Sequence, residues 1–273
     1  MPSETINVMR VKHLILLSLV ALTFACTDKK GGNGNQVESS DDTDSLSWGT
    51  ASLRIEEPVA KGDSICYQIE LKLDTLAGDS ALARSLAAML CDSVLHQPKQ
   101  LTMQEAVAAH ADSIETEWKA EFAEMYEMEL ENNYMFQYYY TLEGCAVENG
   151  RDDILSYQVN TDCYLGGAHG SYVVLYYNFD KKSGKLLNIR DIVPVEKEKL
   201  VIDAMKKQLC EDWDAADLAE LQEMTGITML GDVYLTNNFL LKKDSIEFLF
   251  NQYEIAPYAA GLIEVTIPLP ANP

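Results

Sequence analysis

The chain predicts an α+β fold: antiparallel sheets with helices packed on one face, in two sequential β-rich subdomains of one body. Three observations carry this. Several segments alternate apolar and polar residues with period two, the mark of strands with one wet face. Apolar residues recur at helical spacing in two blocks, each lying between groups of strands, which favours α+β over a doubly wound sheet. Turn signals join neighbouring strands at hairpin distance, Asn149-Gly150 and the 180–185 stretch above all. In this reading residues 51–165 form the first α+β domain and residues 166–273 the second.

Residues 52–57 and 65–73 are the first two strands, with Pro58 to Asp63 as their turn. In the second strand Ile65, Tyr67, Ile69, Leu71 and Leu73 share one face, and Gln68, Glu70 and Lys72 share the other. A helix follows, capped by Asp79 or Ser80, with Leu82, Leu86, Met89, Leu90 and Val94 at helical spacing until Pro98 ends the segment. Thr102, with Glu105 three residues on, makes a capping box for a longer helix. Its apolar stripe is Met103, Val107, Ala111, Ile114, Trp118, Phe122 and Met125, which reads as core; its glutamates read as a solvated face. The aromatic segment 134–142 and the segment 154–164 are strands across the Asn149-Gly150 turn. Strand 172–179 and the hairpin at 180–185, where Gly184 can take positive φ, complete an antiparallel meander. Helical period returns over 191–210 and again over 214–224, where Gly226 is a natural C-terminal cap. Segments 238–243, 245–251 and 262–269 are the closing strands. The loop 252–261 is too apolar to be merely solvated.

The N-terminus reads as an address. Arg10 and Lys12 precede an apolar run from Leu14 to Phe24, too short to span a bilayer, which takes ~20 residues. Ala25-Cys26 closes the run, and residues 22–26 resemble a bacterial lipobox, with Thr23 where the strict pattern has leucine. Residues 1–25 are thus expected to be a lipoprotein signal peptide and Cys26 the lipidated residue. The Gly-, Ser- and Asp-rich stretch 26–50 has almost nothing to bury and suits a flexible tether spanning ~27 Å. The expected location is the envelope, with membrane attachment by the N-terminal lipid alone and the outer membrane as the anchoring bilayer.

A net charge of -22 over 273 residues repels nucleic-acid phosphates and anionic headgroups, and suits a basic partner. Beyond Cys26 the odd number of cysteines (Cys66, Cys91, Cys145, Cys163 and Cys210) argues against a full disulfide framework, and none sits in a CxxC spacing. His96, His110 and His169 show no metal-ligand spacing, so neither metal nor cofactor is expected. The stretch around residues 162–179 organises the chain: a strand end, a glycine corner carrying His169 and Ser171, and a buried strand. Gly166, Gly167 and Gly170 give the corner its backbone freedom, and Gly261 does the same for the later loop. His169-Gly-Ser171 invites a hydrolase reading, but the G-x-S-x-G elbow is absent; the competing reading is a histidine bonded to backbone in a tight corner, with Glu254 as a candidate partner.

Two segments carry a family resemblance. Leu165-Gly-Gly-Ala-His-Gly170, followed by the stretch 177–186, is similar to the junction between the paired extracytoplasmic domains of the RsiV-like family. The loop 253–261 and the segment 263–268 resemble that family's closing loop and strand. The resemblance covers about residues 51–269. It implies an N-terminal half like the domain preceding some peptidoglycan deacetylase modules and a C-terminal half like a lysozyme-binding anti-sigma ectodomain. It also implies a ligand-facing surface that includes His169, Ser171, Glu254, Pro257 and Tyr258. The function expected from it is a non-enzymatic, lipid-tethered binding domain of the kind found in gut Bacteroidota. The expected partner is a basic lysozyme-like protein; a cell-wall glycan stacked on Tyr138, Tyr140, Tyr176 or Tyr258 is the alternative.

Overall fold

The first sheet has six strands in the order β1-β2-β3-β4-β5-β6: β1 (Trp48–Pro58), β2 (Cys66–Leu76), β3 (Gln137–Val147), β4 (Ile154–Tyr164), β5 (Ser171–Asp180) and β6 (Leu186–Leu187). The second is antiparallel and has three: β7 (Phe239–Leu241), β8 (Ser245–Phe250) and β9 (Ile263–Pro268). Helices α1 (Ala81–Met89) and α2 (Met103–Asn132) lie between β2 and β3 in the chain; α3 (Ile189–Ile192), α4 (Glu198–Asp212) and α5 (Leu218–Thr225) lie between β6 and β7. This is the α+β class that the sequence predicts. The computed structural model describes residues 46–58, 66–132, 137–166, 168–225 and 233–269. The expected signal peptide, Cys26, most of the 26–50 stretch, the expected turn after Pro58, Gly167 and Gly226 lie outside the described residues. Among the described residues no helix is long and apolar enough to cross a membrane.

Three details differ from expectation. The first sheet is not wholly antiparallel, because β2 and β3 pair in parallel from Cys66↔Gln137 to Leu73↔Gly144. Two helices intervene between these strands, and a crossover of that length returns the chain to the sheet running the same way. The strand expected at 134–142 is described from Gln137 and continues to Val147; its pairing with β4 carries it on toward the hairpin turn. Trp48 to Thr50, assigned by composition to the tether, already pair with β2.

The capping signals hold. Ser80 Oγ accepts from the Ala83 amide at the start of α1, and Thr102 and Glu105 bond reciprocally ahead of α2. One face of the first sheet packs on these helices. Tyr67, Ile69, Leu71 and Leu73 of β2 meet Leu86, Leu90, Val107, Ala111 and Trp118, with Leu142, Tyr157 and Phe179 from the other strands. The other face of β2 carries Gln68, Glu70 and Lys72, as its alternation requires. A second cluster joins α4 to the inner face of the small sheet, with Val201, Met205 and Leu209 against Phe248, Phe250, Val265 and Ile267. Ser45–Pro273 nevertheless form one compact unit.

Side-chain amides join the two sheets. β6 covers β5 only at Asn178 and Phe179, which leaves the outer edge of β5 without a strand along most of its length. There the Val174 amide donates to Asn251 Oδ1 (2.8 Å), and Asn251 Nδ2 donates back to the Val174 carbonyl (3.1 Å). The Tyr176 amide donates to Asn238 Oδ1 (2.8 Å), and Asn238 Nδ2 donates to that same Val174 carbonyl (2.8 Å). From β5 itself, Asn178 Nδ2 donates to the Phe239 carbonyl (2.7 Å), while its Oδ1 accepts from the Leu241 amide (3.1 Å) and the Ser156 hydroxyl (2.7 Å). An asparagine amide presents the same donor and acceptor as a peptide group, so these residues continue the ladder where the backbone cannot.

Candidate functional site at the glycine corner

β4 ends at Tyr164 and β5 begins at Ser171, so the glycine corner is the hairpin connection between them. Cys163 and Ser171 are still register partners, which obliges the corner to turn sharply. Gly170 is fixed by space: a Cβ there would lie 2.8 Å from the Cys163 carbonyl oxygen. Gly166 has φ +99°, in the left-handed region. His169 is exposed at the corner, and its Nδ1 lies 2.9 Å from the Gly170 carbonyl oxygen. A carbonyl can only accept, so Nδ1 carries the proton and Nε2 is left as an acceptor.

That acceptor is filled from the second loop. The hydroxyl of Tyr253 lies 3.2 Å from His169 Nε2, and the ring of Tyr258 stacks on the imidazole with centroids 3.8 Å apart and planes 20° off parallel. Tyr253 and Tyr258 are themselves 5.8 Å apart in a tilted pair. The corner and the loop meet because Asn251, at the end of β8, and Gln252, whose Oε1 accepts from the Tyr172 amide (3.4 Å), tie the loop's first residues to the edge of β5. The loop is built tightly. The Glu254 amide donates to the Asn251 carbonyl and the Tyr253 amide to the Ala256 carbonyl (3.1 Å each); Tyr253 takes φ +68°. Pro257 caps a single 3-10 turn, Tyr258–Ala260, and Gly261 leaves it at φ +71°, ψ −148°, a conformation open essentially only to glycine.

Of the residues singled out from sequence, His169, Tyr258 and Gly170 come together at this point. Pro257 positions Tyr258 through the turn it caps. Ser171 is exposed at the start of β5 but makes no bond with His169, both of whose ring nitrogens face other groups. Glu254 does not partner His169. Its carboxylate turns to Tyr234, whose hydroxyl donates to it (3.3 Å), and to Asn251 Nδ2 (3.5 Å). The histidine takes the neighbouring Tyr253 instead. Tyr138 and Tyr140 point toward the helices: Tyr138 is buried beside Trp118, and Tyr140 lies 3.4 Å from His110. The tyrosines that do reach solvent near the corner are Tyr172, Tyr234 and Tyr253, and Leu165, at the start of the corner, is exposed too.

Carboxylates surround this aromatic surface. Burial pushes the Tyr172 hydroxyl up, and the charges of Asp162, Glu143 and Glu264 add to it. Tyr139 donates to Asp162 (3.2 Å), and burial together with that carboxylate raises its hydroxyl too. Tyr253, Tyr234 and Asn251 are the residues that sequence reading did not single out. The available signal was asparagine at the ends of apolar strands, at 238 and 251, where a solvated loop has no need of one. The five cysteines of the body form no disulfide with one another, and no cluster of three or more metal-ligating side chains exists among the described residues.

Residues 190–269 match the family model described as a protein of unknown function, DUF3298. This stretch of the chain is similar to that domain. It supplies the Tyr253–Tyr258 loop, whereas the glycine corner with His169 precedes the matched residues. Among solved structures, the crystal structure of a DUF3298 family member from Bacteroides fragilis NCTC 9343 is 25% identical. It superposes with a TM-score of 0.70 over 82% of this chain and 91% of that one. A DUF3298 family protein from Pseudomonas aeruginosa PAO1 is 17% identical, with a TM-score of 0.55 over the same shares, and shares the fold. No curated protein matches the chain.

Proposed function

We propose that this protein is a non-catalytic, lipid-anchored binding protein of a bacterial envelope, and that the corner built by His169, Tyr253 and Tyr258 is its recognition surface. In this reading the partner is a basic protein of the lysozyme-like kind, which the resemblance to the RsiV-like family implies. The observation that carries the reading is an aromatic trio held from two distant chain segments and still presented to water: Tyr253 is 57% exposed although its hydroxyl and its backbone are both engaged. A non-glycine residue kept at positive φ costs stability, and such residues cluster at binding sites. The charge of -22 favours a cationic partner. The engagement of both His169 nitrogens away from Ser171 favours recognition over serine hydrolysis.

Calorimetric titration with lysozyme at low and at physiological salt tests this. Saturable binding that weakens with salt is expected, with an affinity loss of about tenfold or more in Tyr253→Ala and Tyr258→Ala. No binding at either salt removes the lysozyme reading, and undiminished binding by both variants removes this corner. A second reading, a cell-wall glycan stacked on the exposed tyrosines, is favoured by the open faces of Tyr172 and Tyr253. Its mark is binding to purified peptidoglycan that survives high salt.

A further inference from the structure

Glu254 is an exposed carboxylate bonded to the exposed Tyr234 and next in the chain to the exposed Tyr253. Both of its oxygens are oriented, Oε2 by the Tyr234 hydroxyl and Oε1 by Asn251 Nδ2. Asn251 is itself buried and locked onto β5, so the carboxylate hangs from a fixed frame. No lysine or arginine pairs with it among the described residues, whereas exposed pairs such as Lys199–Asp203 and Lys207–Glu211 join neighbouring charges on one helix. Each carboxylate oxygen accepts more than one hydrogen bond, so capacity remains on both. The group that fits an oriented carboxylate with exposed tyrosines nearby is a planar guanidinium, which bonds to both oxygens at once and can also lie flat on an aromatic face.

We infer that Glu254, with Tyr253 and Tyr234, receives an arginine side chain of the partner. This rests on the reading of the corner as a recognition surface and adds the residue type that anchors there. Charge complementarity calls for a cation and geometry sets the choice: an ammonium satisfies the same charge as a point, but lacks the fork and the plane.

The test uses the full-length protein and three small probes, N-acetylarginine amide, N-acetyl-lysine amide and N-acetylcitrulline amide, followed by the NMR shifts of the tyrosine and His169 ring protons. Saturable shifts are expected for arginine, weaker ones for lysine and none for citrulline, which keeps the shape of arginine without its charge. Glu254→Gln, a conservative change at an exposed position, is expected to weaken arginine binding about tenfold. Arginine shifts equal to those from citrulline, or unchanged in Glu254→Gln, overturn the inference. The two ideas fail separately: loss of lysozyme binding in Tyr253→Ala but not in Glu254→Gln retains the corner and removes the arginine, whereas a specific arginine response without lysozyme binding removes only that partner.

Discussion

Two glycines and one histidine set measurable costs at the scale of the residue. Gly170 has no room for a side chain because the Cys163 carbonyl sits where a Cβ would go. Gly170→Ala is therefore expected to destabilise the fold by about 1–3 kcal/mol, read as a lower midpoint in urea. Gly261 has open space around it, so its constraint is backbone conformation alone. Gly261→Ala should cost a similar amount, about 1–3 kcal/mol, and should loosen the stack of Tyr258 on His169, visible in their ring-proton shifts. His110 is buried in the helix–sheet layer, near the hydroxyl of Tyr140, the Leu95 backbone, His96 and Glu117. Burial lowers its pKa, so the unfolded chain binds the proton more readily than the folded one. Stability is then fully present above the unfolded value of about 6.5 and is lost as pH falls toward the lower folded value. A smaller drop in urea midpoint between pH 7.5 and 5.5 in His110→Gln than in the wild type is the expected outcome; an equal drop contradicts this assignment.

The element that decides the site is β5. Its position as a strand is legible in residues 172–179, and so are the hairpin turn at Gly184 and the caps of α1 and α2. Each of these depends on residues close in sequence. The asparagine ladder is not legible in that way, because Asn178, Asn238 and Asn251 acquire their role only when the small sheet is set against the open edge of β5. Asn251→Leu fills similar space but leaves the Val174 amide, an otherwise buried donor, without its acceptor. The expected cost is about 1–3 kcal/mol, with a further loss of ligand affinity because the same residue holds the Tyr253 loop and orients Glu254. The parallel pairing of β2 with β3, where the first sheet departs from the expected antiparallel arrangement, has a related reason. Alternation fixes which residues of β2 face the core, but the direction of the neighbouring strand depends on where the two-helix crossover sets the chain down.

Across the whole molecule, an acidic body carries an uncovered aromatic surface at the corner, and the proposed leash is lipid on Cys26. Cys26→Ser is expected to shift the protein from the membrane fraction to the soluble fraction in a bacterial expression host, with the folded body unchanged by circular dichroism. Retention in the membrane fraction would count against the lipid anchor. The likeness to the Bacteroides fragilis structure over 82% of the chain supports treating both sheets as one inherited arrangement. Its shared region includes more than the 190–269 stretch that matches the DUF3298 model, so the glycine corner is best studied together with that domain.

Sequence by itself determined the α+β class, the order of most elements, the helix caps and the glycine corner as the place to look, because all of these follow from spacing and backbone freedom within short stretches. It determined that His169 and Tyr258 belong to the candidate surface only through family resemblance. The tertiary structure decided that Tyr253 and not Glu254 closes onto His169, that Tyr138 and Tyr140 are core, and that Glu254 faces Tyr234. The first of these depends on two loops 84 residues apart meeting within hydrogen-bonding distance, which the docking of one sheet edge on another sets, and the others on which helix or strand lies against each face.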